Sequence, residues 1–198
     1  MNSLSLPVIL GLSEHQVQTL VNCRTLKQYA SMIADYLAGK CPFCDPLDSK
    51  NRILVQHGNT PETRWRIWEN PFPLKHTSLH LVMAPERHVS PNADILPTDM
   101  EAMTHLFLWA KNGYGARGGC LAMRFGPPNF NAGSVLHLHA NIIVPDGTGR
   151  VHVTLAKENK EITENVRRMH VFERLRTNKT TPKYLSPDER ELVKGRLE

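Results

Sequence analysis

The sequence holds no apolar run long enough to cross a membrane, so no helical span and no membrane partner are expected. No basic segment leads into an apolar core within Met1–Pro7, and the expected compartment is the cytoplasm. Cysteine is scarce, with four in 198 residues, which argues against a disulfide framework. Repeats and low-complexity segments are absent too. What is present is ordinary for a globular chain: 40% hydrophobic and 22% charged residues, which rules out wholesale disorder. The length suits one domain with a substantial core and is too short for two comfortable ones.

The formal net charge of +5 favours acidic ligands, nucleotides or nucleic acid. Much of the excess lies in Arg167, Arg168, Arg174, Arg176, Lys179, Lys194 and Arg196. This tail lacks the aromatic interleaving of a single-strand binding platform and reads as a solvated face. Nucleic acid is not an expected partner.

Residues 13–38 read as helix in two pieces, with Ser13 as N-cap and Gly39 after the last turn. Ile53–His57 and Thr63–Trp68 flank a Gly-Asn turn and read as a hairpin. A further strand is expected at Ser78–Met83. Pro97–Tyr114 reads as the best helix: Thr98-Asp-Met-Glu101 matches a capping box, and Met100, Met103, Leu106 and Leu108 supply an apolar face. Strands are expected at about 120–125, 135–144 and 151–155. The rest is a charged extension ending in a short helix opened by Ser186-Pro-Asp-Glu189. The order predicts an α+β domain: a mainly antiparallel sheet with a long helix laid on it, an N-terminal helical segment (1–40), a central region (41–155) and a C-terminal extension (156–198).

Two features carry chemistry. In Ser134-Val-Leu-His-Leu-His-Ala-Asn141 the apolar residues suit a buried strand, whose period of two sends His137, His139 and Asn141 the same way. A lone strand histidine is normally a hydrogen-bonded core residue; two imidazoles and an amide on one face suit a reaction centre. The second feature is Cys41-Pro-Phe-Cys44. C-x-x-C can mean zinc, a redox dithiol or two reduced thiols. A redox motif wants a strand before it and a helix opening on it. Here the pair follows a helix and enters a Pro/Asp-rich turn, which suits a metal knuckle. A tetrahedral zinc needs two more ligands. His76-x-x-x-His80 has finger-like spacing, but 31 residues separate it from Cys44, too many for a finger. The alternative is one histidine from the Ala84-Pro-Glu-Arg-His88 turn and one from the reaction strand.

Cys41-x-x-Cys44, His80-Leu-Val-Met-Ala-Pro-Glu-Arg-His88 and Ser134-Val-Leu-His-Leu-His-Ala-Asn141 together resemble the histidine triad superfamily, in the right order over roughly residues 41–145. That superfamily includes nucleotide hydrolases, dinucleoside polyphosphate phosphorylases and galactose-1-phosphate uridylyltransferases. The resemblance implies a structural zinc held by Cys41, Cys44, His88 and His137. It makes His139 the nucleophile toward a nucleoside α-phosphate, through a covalent nucleotidyl-histidine. The attacking nitrogen must be unprotonated, so a backbone carbonyl should hold the other N–H. Gly133, Ser134 and Val135 match the turn that receives phosphate oxygens. His80 matches a histidine near the nucleoside, and Asn70 an asparagine that contacts ribose. Trp68, Phe72, Leu81 and Met83 suit either a base pocket or the core. A homodimer through the long helix and the sheet edge is also implied.

Two positions depart from the pattern. Asn141 stands where hydrolases carry His and transferases and phosphorylases carry Gln, and an amide cannot act as an acid. Gly133 stands where many hydrolases carry Gln, which leaves the backbone to meet the phosphate. Asn141 favours transfer or phosphorolysis over hydrolysis assisted by a third histidine, and the two departures together favour the alternative, a zinc-stabilised module that binds nucleotide without turnover.

Overall fold

Alternating apolar side chains in Trp65–Glu69, Thr77–Pro85 and Ala140–Pro145 build the centre of one antiparallel sheet. The computed structural model describes residues 9, 11–44, 52–127, 133–155 and 157–197. Among them the strands are β1 (Ile53–His57), β2 (Trp65–Glu69), β3 (Thr77–Pro85), β4 (Cys120–Met123) and β5 (Ala140–Pro145). They lie in the order β1-β2-β3-β5-β4, every neighbouring pair antiparallel. Helix α3 (Pro97–Gly113) packs on one face. With helices α1 (Glu14–Leu20), α2 (Leu26–Leu37), α4 (Asn159–Arg176) and α5 (Pro187–Leu192), the class is α+β.

The period of two sorts the sheet. Trp65, Ile67, Leu81, Met83, Leu138, Ala140, Ile142 and Val144 meet Ala102, Met103, Leu106 and Ala110 of α3 in one core. Trp68, Val82 and Ala84 occupy the other face, with Phe43 against them. His80 and Asn141 belong to that second face by register, since Val82 pairs with Asn141 and His80 with Ile143. Gly119 is obligatory: its φ is +146° and a Cβ there would collide with the Ile143 carbonyl oxygen, so β4 approaches β5 at a residue without a side chain.

The described chain divides into two compact units. The sheet unit comprises 41–127 and 137–154. The second comprises 1–40, 128–136 and 155–198 and is helical, with Val17, Leu20, Tyr29, Met32, Ile33, Val166, Met169 and Phe172 among its buried side chains. Within it the Tyr29 ring packs tilted against Phe172, ring centroids 5.8 Å apart, and its hydroxyl donates to Glu173 at 2.9 Å.

Several expectations need correction. The N-cap of α3 is Leu96, with Pro97 at the first helical position; the residue that reaches back is Asp99, not Glu101. Met100 and Leu108 are 51% and 42% exposed, because the buried stripe runs through 99, 102, 103, 106 and 110 and leaves them off it. Residues 151–155 form no strand; the Thr154 carbonyl takes a hydrogen bond from the Arg124 side chain. The charged extension holds an 18-residue helix, α4, before its short last one.

Candidate functional site

Four side chains converge at one end of the sheet unit. The Cys44 N–H donates to the Cys41 carbonyl at 3.2 Å and closes the knuckle that aims both sulfurs inward. His88 stands in the turn after β3. Its neighbour Arg87 donates to Asp99 at 2.7 Å and to the Glu62 carbonyl at 2.6 Å, so the start of α3 fixes the turn. His137 is buried just before β5, where its Nε2–H donates to the Pro85 carbonyl at 3.0 Å. A carbonyl can only accept, so the Nδ1 lone pair of His137 faces the sulfurs.

The Nδ1 of His137 lies 3.3 Å from Cys41 Sγ and 3.5 Å from Cys44 Sγ, and the Nδ1 of His88 lies 3.2 Å from Cys44 Sγ. With zinc–sulfur bonds of 2.3 Å and zinc–nitrogen bonds near 2.05 Å, a tetrahedron puts S and N about 3.6 Å apart. The four ligand atoms, all within 4.8 Å of one another, therefore fit a zinc site. Burial, then the charge of His88, hold the His137 pKa at about 3, so its imidazole is neutral and its Nδ1 lone pair is free of a proton. Burial and the adjacent Cys41 push the Cys44 thiol up to about 12; a bound cation reverses that preference and holds the sulfurs as thiolates.

His139, two residues on, lies beside Phe43 on the Trp68 face of the sheet. It is buried, and its Nδ1 lies 2.8 Å from the His137 carbonyl. The same reasoning puts the proton on Nδ1 and leaves the Nε2 lone pair for chemistry. Burial lowers its pKa to about 4, with the Arg124 and His80 charges adding to the effect and the His137 carbonyl opposing it. Neither histidine lies in a hydrogen-bonded strand, contrary to the expected start at 135. The His137 carbonyl is taken by His139 and the Leu138 N–H by the Val89 carbonyl at 2.7 Å, so the ladder begins only at Ala140.

Asn141 is tied to His80. The Leu74 N–H donates to His80 Nδ1 at 3.1 Å, which leaves Nε2 protonated and donating to Asn141 Oδ1 at 3.1 Å. Asn70 Nδ2 lies 3.1 Å from that same nitrogen, and Asn70 Oδ1 accepts from the Phe72 N–H at 2.8 Å. Asn70 is thus bonded into its own turn. Trp68 is fully buried, while Leu81 and Met83 face α3 and belong to the core.

Two residues near His139 had no sequence signal. Phe43, inside the knuckle, sets its ring edge-on to Trp68, His137 and His139 at centroid distances of 5.2, 5.9 and 5.1 Å. Arg124 follows β4. The last β4–β5 pair, Met123 with Ala140, brings it near enough for its charge to act on His139. Only strand pairing reveals that, and the sequence does not show it.

Gly133, Ser134 and Val135 fall in the helical unit. There the Gly133 carbonyl accepts from Asn22 Nδ2 at 2.7 Å, and the Ser134 hydroxyl accepts from Gln28 Nε2 at 3.4 Å. Asn22 and Gln28, remote in sequence, were not foreseen.

The basic tail is largely engaged within its own unit. Arg174 pairs with Glu189 at 2.5 Å and Arg176 with Glu173 at 2.6 Å. Arg168 is buried, which lowers its pKa to about 10.

No family model and no curated protein matches this chain. Among solved structures it is similar to a hypothetical protein from Leishmania major, at 17% identity and a TM-score of 0.41, over 68% of this chain and 96% of that one. A Zn-bound histidine triad family protein from Mycobacterium smegmatis aligns at 18% identity and a TM-score of 0.40, over 71% and 99%. A hypothetical histidine triad nucleotide-binding protein from Sulfolobus tokodaii strain 7 aligns at 15% identity and a TM-score of 0.41, over 68% and 93%.

Proposed function

We propose that this chain is a nucleotidyl hydrolase or transferase that cleaves a nucleoside α-phosphate linkage through a covalent nucleotidyl-histidine at His139. The observation that carries this reading is the tautomer of His139. A carbonyl acceptor 2.8 Å from Nδ1 leaves Nε2 as a neutral, oriented nucleophile. Nε2 attacks the α-phosphorus in line, a nitrogen–phosphorus bond forms, and the bridging oxygen departs with its electron pair. Water or another acceptor then attacks phosphorus, and the imidazole leaves with the electrons of the nitrogen–phosphorus bond.

Asn141 narrows the substrate. Its oxygen is engaged by His80 and an amide has no proton to give, so the site favours a leaving group that departs unassisted as an anion. A phosphoanhydride such as a dinucleoside polyphosphate meets that requirement; an alkoxide or amine leaving group does not. Arg124 supplies positive charge beside the reacting phosphate. Gly133, Ser134 and Val135 keep, on the sequence resemblance, the role of phosphate-receiving turn. His80 and Asn70 support the nucleoside side.

Cys41, Cys44, His88 and His137 would hold zinc, which with four protein ligands is structural and supplies no activated water. Free cysteines suit a reducing compartment, the cytoplasm. Homodimerisation is part of the reading: β4 is an edge strand with Leu121 46% exposed, and Leu96, Met100 and Leu108 are exposed along α3.

The experiment is product analysis of diadenosine tetraphosphate with and without inorganic phosphate. ADP formed only when phosphate is supplied assigns a phosphorylase; AMP plus ATP without phosphate assigns a hydrolase. A second reading, a zinc-stabilised module that binds nucleotide without turnover, is favoured by the engagement of Asn141 with His80. It predicts binding of mononucleotide with neither products nor adduct.

A further inference from the structure

His57 closes β1, and its pairing with Trp65 places it on the α3 side of the sheet, away from His139. Glu101 and His105 stand four residues apart on α3, and both are exposed. That spacing puts them one turn apart on a single helix face. The His57 and His105 rings lie parallel, with centroids 4.0 Å apart and planes 11° from coincidence. One ring nitrogen from each histidine and one carboxylate oxygen of Glu101 lie within 4.8 Å of one another.

We propose that His57, Glu101 and His105 form a second metal site, which takes one divalent first-row transition ion and bridges β1 to α3. The donor set selects the ion class. Two imidazoles favour Zn2+, Ni2+ or Cu2+, whereas Mg2+ and Ca2+ require oxygen ligands. Ligand bonds near 2.05 Å place tetrahedral donors about 3.4 Å apart. The donors need move together by no more than about 1.5 Å, and the two parallel rings must turn so that their in-plane lone pairs converge, both by χ rotation of partly exposed side chains. Three protein ligands leave a coordination position for water or another group, so this site is open where the Cys2His2 site is closed. The proposal does not depend on the reaction assigned to His139.

The test uses the chain carrying one equivalent of zinc, which the Cys2His2 donors take in preference to the open site, titrated with Ni2+ by calorimetry, with zinc content measured before and after. One equivalent of Ni2+ should bind with no loss of zinc. His57→Ala and His105→Ala should each abolish that equivalent, and Glu101→Gln should weaken it about tenfold or more. His170→Ala, an exposed histidine on α4, should retain it. Ni2+ should also raise the melting temperature of the unmutated chain and leave that of His105→Ala unchanged. No bound equivalent, or an equivalent that survives loss of both His57 and His105, would overturn the proposal.

Discussion

His139 donates its Nδ1–H to the carbonyl oxygen of His137 at 2.8 Å, while His137 donates its own Nε2–H to the Pro85 carbonyl at 3.0 Å. Two carbonyls thus set two tautomers. One imidazole turns its lone pair to the sulfurs, and the other keeps Nε2 for the reaction face. The Cys2His2 group and the candidate nucleophile are joined by one backbone carbonyl, so a change that loosens the first should displace the second.

Cys41→Ser tests that link. One zinc per chain is expected in the unmutated protein, and the variant should purify with substantially less. Loss of the ion should cost several kcal/mol of stability, since binding energy at such a site is folding energy. Turnover should fall although His139 is intact. Metal analysis, thermal unfolding and kcat on one preparation check all three, and full zinc content in Cys41→Ser would break the assignment.

Asp99 holds the His88 turn from a distance. It is fully buried and accepts from Trp65 Nε1 at 2.9 Å, Arg87 at 2.7 Å and the Leu96 N–H at 2.9 Å. Burial alone would raise its pKa; hydrogen bonds from Arg87, Trp65 and Leu96 outweigh that and lower it. Asp99→Asn should destabilise by about 2–4 kcal/mol, because it removes the carboxylate that pairs with the Arg87 charge and accepts three hydrogen bonds in a buried position. A depressed folded-state pKa means that the contribution is complete above the unfolded value, about 3.9, and is lost as pH falls through the folded value. Denaturant titrations from pH 7 downward should show Asp99→Asn weaker at neutrality, with a shallower decline in acid. Parallel curves would remove the linkage.

Arg124 should matter to rate more than to fold. Removing one preorganised donor from a developing phosphate charge costs about 10²–10³ in kcat. Arg124→Ala should show a loss of that order, while its zinc content stays at the unmutated level. A variant with unchanged kcat would leave Arg124 as no more than the partner of Thr154.

Gly119→Ala should loosen the β4 edge. The new Cβ meets a backbone carbonyl, and backbone cannot swing aside as a flexible side chain can. A loss of about 2–3 kcal/mol is expected from the φ and the clash together. Amide exchange should accelerate in β4 more than in β2. Uniform exchange across the sheet would mean that the edge tolerates the side chain.

The elements with a clean period were legible in the sequence: the hairpin, β3 and α3 stand within two residues of expectation. The family resemblance carried by short local motifs also implied Cys41, Cys44, His88 and His137 as one set, and the structure brings those four together. What stayed hidden depends on partners distant in sequence. Arg124 reaches His139 only through the pairing of β4 with β5, and Asp99 reaches the His88 turn only by way of Arg87. The apolar alternation from Val135 suggested an early strand start, but the backbone groups there bond to His139 and Val89. Helix α4 was masked by its charges, although Val166, Met169, Phe172 and Leu175 recur every three residues and are buried.

The most direct measurement is turnover and adduct formation by His139→Ala beside the unmutated chain, across diadenosine tetraphosphate and related nucleotidyl phosphoanhydrides. Reactions are quenched in alkali and read by peptide mass. The account predicts a nucleotidyl mass on the peptide containing His139, products from the unmutated chain, and neither from His139→Ala of normal zinc content. Full turnover by His139→Ala, or no turnover and no adduct from the unmutated chain on any of these substrates, would contradict it.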